Sequence, residues 1–168
     1  MRSPVNAGRS SSPRSAGNPR RGGRPTGRAP PMTKGRGVEA SFLFSHLHWD
    51  HVQGFPFFTP AYVPSTKLAL YGPSDEHGVS LQDVLSQQMQ PPSFPVPLSA
   101  MGAEKTFETI GSRSELSIGP FSVRARALCH PQGSLGFRIE AGGRSLCFAT
   151  DTECDRKEID PSILELAA

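Results

Sequence analysis

Short apolar runs, some with alternating apolar and polar positions, divide the chain after residue 38 into predicted strands. Phe42-Leu43-Phe44 completes a buried strand over residues 40–44. A second strand covers residues 67–71 and ends at Gly72-Pro73. The later predicted strands are 105–110, 115–118, 121–128, 135–139 and 145–149, with a hairpin turn at 141–143.

Three helices are predicted between and after these strands. A short helix over residues 52–58 is broken by Pro60 and Pro64. Ser80 has a suitable N-cap side chain for a second helix, and a last helix begins after Asp155. The apolar positions that would be buried are Leu81, Val84, Leu85 and Met89 in the second helix, and Ile159, Ile163, Leu164 and Leu166 in the last. The mixture of strands and helices predicts an α/β fold.

The formal net charge of +3 averages two unlike parts of the chain. Residues 1–38 contain nine Lys or Arg and no acidic residue, together with seven Gly, six Pro and five Ser. Such a segment cannot bury enough apolar surface to offset its ordering entropy, so we expect a disordered tail. Three interpretations stay open: a nucleic-acid-binding tail, a transit peptide, or out-of-frame translation of GC-rich DNA. We favour the last, or a tail without function.

Residues 39–168 form the predicted domain, which is acidic, with nine Lys or Arg against fifteen Asp or Glu. No apolar run reaches the roughly 18 residues of a membrane span, and no secretory signal is apparent. Cys129, Cys147 and Cys154 form no Cys-x-x-Cys pair, which favours a reducing cytoplasm. We expect each cysteine to be a small buried apolar residue.

Residues 45–51, Ser-His-Leu-His-Trp-Asp-His, concentrate the chemistry of the chain. They bring together three of its five histidines and one carboxylate. Imidazole and carboxylate are ligands for zinc and neighbouring transition metals. His46 and His48 are two positions apart and face one side of an extended segment, so they can share one ion. Asp50 and His51 follow at a turn and can face a second ion.

Two further ligand candidates follow later strands. His130 comes after the strand that ends at Leu128, and Asp151 comes after the strand over 145–149. Side chains at the ends of successive strands can converge on one edge of a sheet. The alternatives are a capping histidine and a turn-forming aspartate. His77 lies in a polar loop, and we expect it to be exposed to solvent.

The motif His46-x-His48-x-Asp50-His51 after an apolar strand resembles that of the metallo-β-lactamase superfamily of metal-dependent hydrolases. His130 and Asp151 follow in the order typical of that superfamily. The segments Cys129–Ile139 and Phe148–Glu153 are most similar to its phosphodiesterase branch, which includes tRNA 3′-end-processing endonucleases and cyclic-phosphate phosphodiesterases. The Gly-His-Thr usual in true β-lactamases and glyoxalase II enzymes is absent. The resemblance covers residues 40–165.

The resemblance implies a four-layer αββα sandwich with two divalent metal ions at one edge, zinc first, with manganese or iron as alternatives. His46, His48 and His130 would hold one ion, Asp50 and His51 the other, and Asp151 would bridge them. The ions would activate a water for attack on a phosphodiester, with Asp50 steering it or accepting a proton. The implied partner is a small-molecule or nucleotide phosphodiester, RNA being an alternative, and no membrane. The oligomeric state stays open.

Two parts of the superfamily pattern are missing from the sequence. Paired strands normally precede the histidine motif, and a further histidine normally follows the position of Asp151, but none follows His130 here. We therefore expect an incomplete sandwich, from an internal fragment or a frameshifted reading of a longer enzyme. The alternatives to a phosphodiesterase are a non-catalytic or mononuclear metal-binding remnant and a hydrolase of esters, thioesters or lactams.

Overall fold

The computed structural model describes residues 35–153 and 159–168, and the first of its two sheets is parallel. β1 (Glu39–Leu43), β2 (Lys67–Gly72) and β3 (Glu104–Thr109) pair in that order. Parallel neighbours need crossover connections, and the segment between β2 and β3 includes helix α2 (Leu81–Gln88). The three strands lie within a residue or so of their predicted positions.

The second sheet is antiparallel and contains four strands in sequence order. These strands are β4 (Glu115–Ile118), β5 (Phe121–Leu128), β6 (Ser134–Ala141) and β7 (Arg144–Phe148). Gly142 and Gly143 both have positive φ, which the two-residue turn between β6 and β7 requires. All four strands and this hairpin were predicted from the sequence pattern.

Two apolar clusters arrange the sheets and helices in layers. In one cluster, Leu70 of the parallel sheet packs with Leu85 of α2. In the other, Leu43 and Tyr71 of the parallel sheet meet buried side chains of the antiparallel sheet, such as Phe137. Helix α3 (Pro161–Ala167) packs on β5 and β6. The order helix, sheet, sheet, helix confirms the predicted αββα arrangement.

The helices differ from prediction at two places. The helix expected over 52–58 is instead α1 (Trp49–Val52), followed by 3-10 turns at Phe55–Phe57 and Thr59–Tyr62. Pro56 and Pro60 lack the backbone N–H that a longer α-helix would need, so the segment is divided into short turns. Helix α2 has the predicted Ser80 cap, completed by Asp83 in a capping box.

The last helix buries fewer apolar residues than predicted. Helix α3 begins at Pro161, so Ile159 lies outside it and is exposed. Within α3, Leu166 is buried whereas Leu164 is 55% exposed. The start expected after Asp155 falls on residues 154–158, which lie outside the described residues, as do residues 1–34 of the predicted tail.

The cysteine prediction was wrong where it can be examined. Cys129 and Cys147 are both exposed, and Cys154 lies outside the described residues. Cys147 is on β7, whose five residues are all exposed, so no layer within residues 35–153 and 159–168 covers an apolar side chain there. Among the described residues, no helix is long and apolar enough to cross a membrane.

Candidate metal centre

His46 is held in the protein interior just beyond the end of β1. Phe44 continues the strand by donating its backbone N–H to Tyr71, and it packs in the apolar cluster beneath α2. Ser45 and His46 follow and are both buried, with His46 only 2% exposed. The Ser45 hydroxyl lies 3.0 Å from Nδ1 of His46 in a hydrogen bond. The other ring nitrogen, Nε2, is therefore the atom of His46 that is available to bind a ligand.

The next three candidate residues lie where the chain turns into α1. His48 is the N-cap of this helix and has extended backbone geometry, with ψ of 146°. Asp50 and His51 are in the first turn, and their carboxylate Oδ2 and Nε2 atoms are 3.5 Å apart. The His51 side chain is 23% exposed, and that of Asp50 is 67% exposed. As predicted, the chain is extended at His48 and turns into a helix at Asp50 and His51.

The other two candidate residues follow β5 and β7 in the antiparallel sheet. Asp151 has φ of +45°, a left-handed conformation that Asp tolerates better than most residues. Asp160, the N-cap of α3, accepts hydrogen bonds from the backbone N–H of Cys129 and that of Ser162, which lower the pKa of Asp160. This carboxylate therefore fixes the backbone immediately before His130 to the start of α3.

These residues, distant in sequence, converge on one small volume. Oδ2 of Asp151 lies 3.0 Å from Nε2 of His51, 3.5 Å from Nε2 of His46 and 4.0 Å from Nε2 of His130. Nδ1 of His48 lies 3.2 Å from Nε2 of His130. The ring centroid of His46 is 4.0–5.0 Å from those of the other three histidines.

The electrostatics of this cluster favour the neutral form of His46. Burial, followed by the nearby His51 and His48 rings, lowers the pKa of His46 from 6.5 to about 4. Several protonated rings at these separations would repel one another in a poorly solvated site. Nε2 of His46 is also buried without a hydrogen-bond partner among the described residues. A buried ring nitrogen without a partner, beside other imidazoles and a carboxylate, suits a cation, so the residues present fit a metal ion.

Two overlapping groups have the spacing of a metal site. His46, His48 and His130 form one, and His46, His51 and Asp151 form the other, each with ligand atoms within 4.8 Å of one another. His46 has a single ring nitrogen free, so it can bind only one ion. Asp50 belongs to neither group, although its carboxylate borders His51.

A cleft of about 470 Å³ opens beside His46 and His48. Its lining includes apolar Ile110 and Leu135 on one side and the loop over 73–77 on another. His77 is exposed, as predicted, but it lies on this lining. Two further residues here were not predicted from the sequence: Gln132, which contacts His48, and Ser134, whose buried hydroxyl has no hydrogen-bond partner among the described residues. The one sequence signal that could have pointed to these two residues is that both follow closely after His130.

A family model described as "Beta-lactamase superfamily domain" matches residues 15–166, nearly the whole chain. The chain belongs to the beta-lactamase superfamily. Its histidine motif and its mixed sheets, one parallel and one antiparallel, are those that the sequence resemblance implied. No curated protein matches the chain.

Several solved structures are similar to this superfamily member over part of their length. The metallo-beta-lactamase fold protein YhfI from Bacillus subtilis is 20% identical, with a TM-score of 0.46 over 68% of this chain and 42% of YhfI. The short form of human tRNase Z is 21% identical, with a TM-score of 0.49 over 66% and 48%. Unliganded yeast PDE1 is 16% identical, with a TM-score of 0.49 over 75% and 38%. The chain thus spans less than half the length of each.

Proposed function

We propose that the chain carries the active site of a metal-dependent phosphodiesterase with two divalent ions. The supporting observation is that four imidazoles and a carboxylate from three separate segments converge around a buried, unpartnered His46 nitrogen. His46, His48 and His130 would hold one ion, and Asp50 and His51 the other. Asp151 would serve both, because its Oδ2 lies within 4.0 Å of an imidazole nitrogen from each set.

The donor set favours zinc, since neutral imidazole and carboxylate suit it well, although manganese and iron accept the same ligands. When bound, such ions lower the pKa of water to about 7 and stabilise negative charge on a phosphoryl oxygen. The protein supplies imidazoles and a carboxylate, Asp50, which is largely exposed beside His51. Asp50 would accept a proton from an attacking water and release it to solvent.

The cleft favours a small phosphodiester over RNA. None of the described residues that line it is Lys or Arg, whereas Asp75 and Glu76 are on its rim. A polynucleotide would place several phosphates against this surface without a cationic side chain to receive them. Ile110 and Leu135 can instead contact one apolar or aromatic substituent of a small substrate.

We place the protein in the cytoplasm, where the exposed thiols of Cys129 and Cys147 would stay reduced.

The test combines metal content with hydrolysis of bis(p-nitrophenyl) phosphate by the full chain. We expect two zinc equivalents and turnover. In His48→Ala the zinc content should fall below two equivalents, and turnover should fall by more than the roughly 10–100-fold typical of residues outside the ligand set. Glu108→Gln is the control, because it changes an exposed side chain on β3 that lies outside both the cluster and the cleft lining. One zinc equivalent or none, without turnover, would contradict the proposal. Preferred cleavage of an ester, thioester or lactam would overturn the substrate class alone.

A mononuclear, non-catalytic metal-binding remnant is the second candidate. The observation that favours it is the single free nitrogen of His46, which leaves the second ion with His51, Asp151 and the largely exposed Asp50. A zinc site normally has about four ligands, and water would have to complete this one. Titration of the full chain to one zinc equivalent, with no hydrolysis at any zinc concentration, is the expected result for this candidate.

A further inference from the structure

The side-chain amide of Gln132 contacts the His48 ring away from the metal cluster. Its Oε1 lies 2.8 Å from Nε2 of His48, although the two residues are 84 positions apart in sequence. The other ring nitrogen of His48, Nδ1, is the one that faces the cluster, 3.2 Å from Nε2 of His130. The two nitrogens of this imidazole therefore have different neighbours.

The chemistry of those neighbours decides where the His48 proton lies. An amide oxygen can only accept a hydrogen bond, so Nε2 of His48 must donate one to Gln132. A neutral imidazole carries a single ring proton, which leaves Nδ1 as a bare lone pair. That lone pair faces Nε2 of His130, on the side of the ring where the proposed metal ion would bind.

The backbone holds the Gln132 amide in place. Gln132 lies in a turn closed by a hydrogen bond of 2.9 Å from the backbone N–H of Gly133 to the carbonyl of His130. Both Gln132, at φ +63°, and Gly133, at φ +84°, are left-handed. That conformation is costly for a glutamine, and such strain persists where surrounding contacts maintain it. The turn that presents His130 thus also brings the amide of Gln132 to His48.

We propose that Gln132 is a positioning residue that holds His48 in its Nε2–H tautomer, so that Nδ1 is the metal-ligating atom. This rests on the metal site proposed above. Partners of this kind fix the orientation and tautomer of a ligating histidine, and losing one typically weakens metal binding about 10–100-fold. Gln132 would act on the metal only through His48.

The first experiment uses the full, metal-free chain and needs no variant. Long-range ¹H–¹⁵N correlation spectra of the imidazoles, with His48 assigned by its loss in His48→Ala, distinguish a protonated ring nitrogen from a bare one. We expect His48 to carry its proton on Nε2. A proton on Nδ1 would overturn the proposal whether or not the chain hydrolyses phosphodiesters. A chain with the expected tautomer but no turnover would contradict the proposed function and leave this inference standing.

The second experiment compares Gln132→Met with Gln132→Glu. Methionine has a similar length but no strong acceptor, so we expect mixed His48 tautomers and zinc binding about 10–100-fold weaker by calorimetry. Glutamate keeps an acceptor oxygen and should restore the Nε2–H tautomer. The matched control is Gln87→Met, on the exposed side of α2. Wild-type tautomer and zinc affinity in Gln132→Met would overturn the proposal, as would mixed tautomers in Gln132→Glu.

Discussion

At the scale of single residues, Asp151 holds the centre of the candidate metal site. One of its oxygens lies within 4.0 Å of the imidazole nitrogens of His46, His51 and His130. Its left-handed backbone, at φ +45°, turns the chain immediately after β7. A carboxylate within reach of histidines from both groups could serve both of the proposed ions, so this side chain should determine whether the second ion binds.

The variant Asp151→Asn tests this role. Asparagine has nearly the same size and tolerates the same backbone conformation, but it lacks the negative charge. We expect zinc content to fall from two equivalents to one, and turnover to fall by more than about 100-fold, the upper value for residues outside the ligand set. Metal analysis and hydrolysis assays provide the measurements. The control is Glu108→Gln, which removes an exposed charge on β3. Two zinc equivalents retained in Asp151→Asn would show that Asp151 is not shared between two ions.

The sequence indicated the ligand candidates because their residue types are rare and clustered. Three histidines in one heptapeptide are hard to explain without a cation, whereas a glutamine such as Gln132 is an ordinary surface residue. Its contact with His48 depends on a turn that closes 84 positions later in sequence. The cysteine prediction was wrong for the same kind of reason, because burial depends on which layer covers a strand.

At the scale of elements, helix α3 shows how much of a helix depends on one contact. Arg138 of β6 donates to the backbone carbonyl of Leu166 at 2.9 Å. At Gly136 on the same strand, an added Cβ would lie 2.6 Å from the Leu166 side chain, so a larger residue there would force Leu166 to shift. Leu164 points away and is 55% exposed. Leu166 therefore contributes most of the burial that fixes α3 to the sheet.

Two leucine-to-alanine substitutions in α3 should lower the free energy of unfolding by very different amounts. Leu166→Ala removes a side chain that is 1% exposed, and we expect a loss of about 2–5 kcal/mol in the free energy of unfolding. Leu164→Ala should change it by less than about 0.5 kcal/mol. Urea unfolding of both variants measures the difference. Equal losses would mean that α3 does not pack on the sheet as described.

At the scale of the whole molecule, the candidate site joins the two sheets. His46 and His48 follow β1 of the parallel sheet, while His130 and Asp151 follow strands of the antiparallel sheet. A backbone hydrogen bond of 2.8 Å from Leu135 to Ser45 connects the two sheets beside the site. An ion bound there would tie together segments that separate on unfolding, so metal binding should stabilise the fold.

Zinc should therefore raise the free energy of unfolding. At a free concentration of 100 times Kd, one site that exists only in the folded protein contributes about 2.7 kcal/mol. We expect a gain of at least this size in urea unfolding of the wild type, reversed by a chelator. The gain should persist in His77→Ala and shrink in His48→Ala. An equal gain in both variants would place the zinc outside the cluster.

Apolar periodicity and clustered histidines are local properties, so the strands, the capped helix α2 and the residue types of the site could be predicted from the amino-acid sequence. Which of these side chains meet depends on how the sheets pack. Three features depend on strand ends from two sheets that pack through a shared apolar layer. They are the approach of His130 to His48, the central place of Asp151 and the contact of Gln132 with His48. Distances between segments far apart in sequence are set by packing, which no local pattern records.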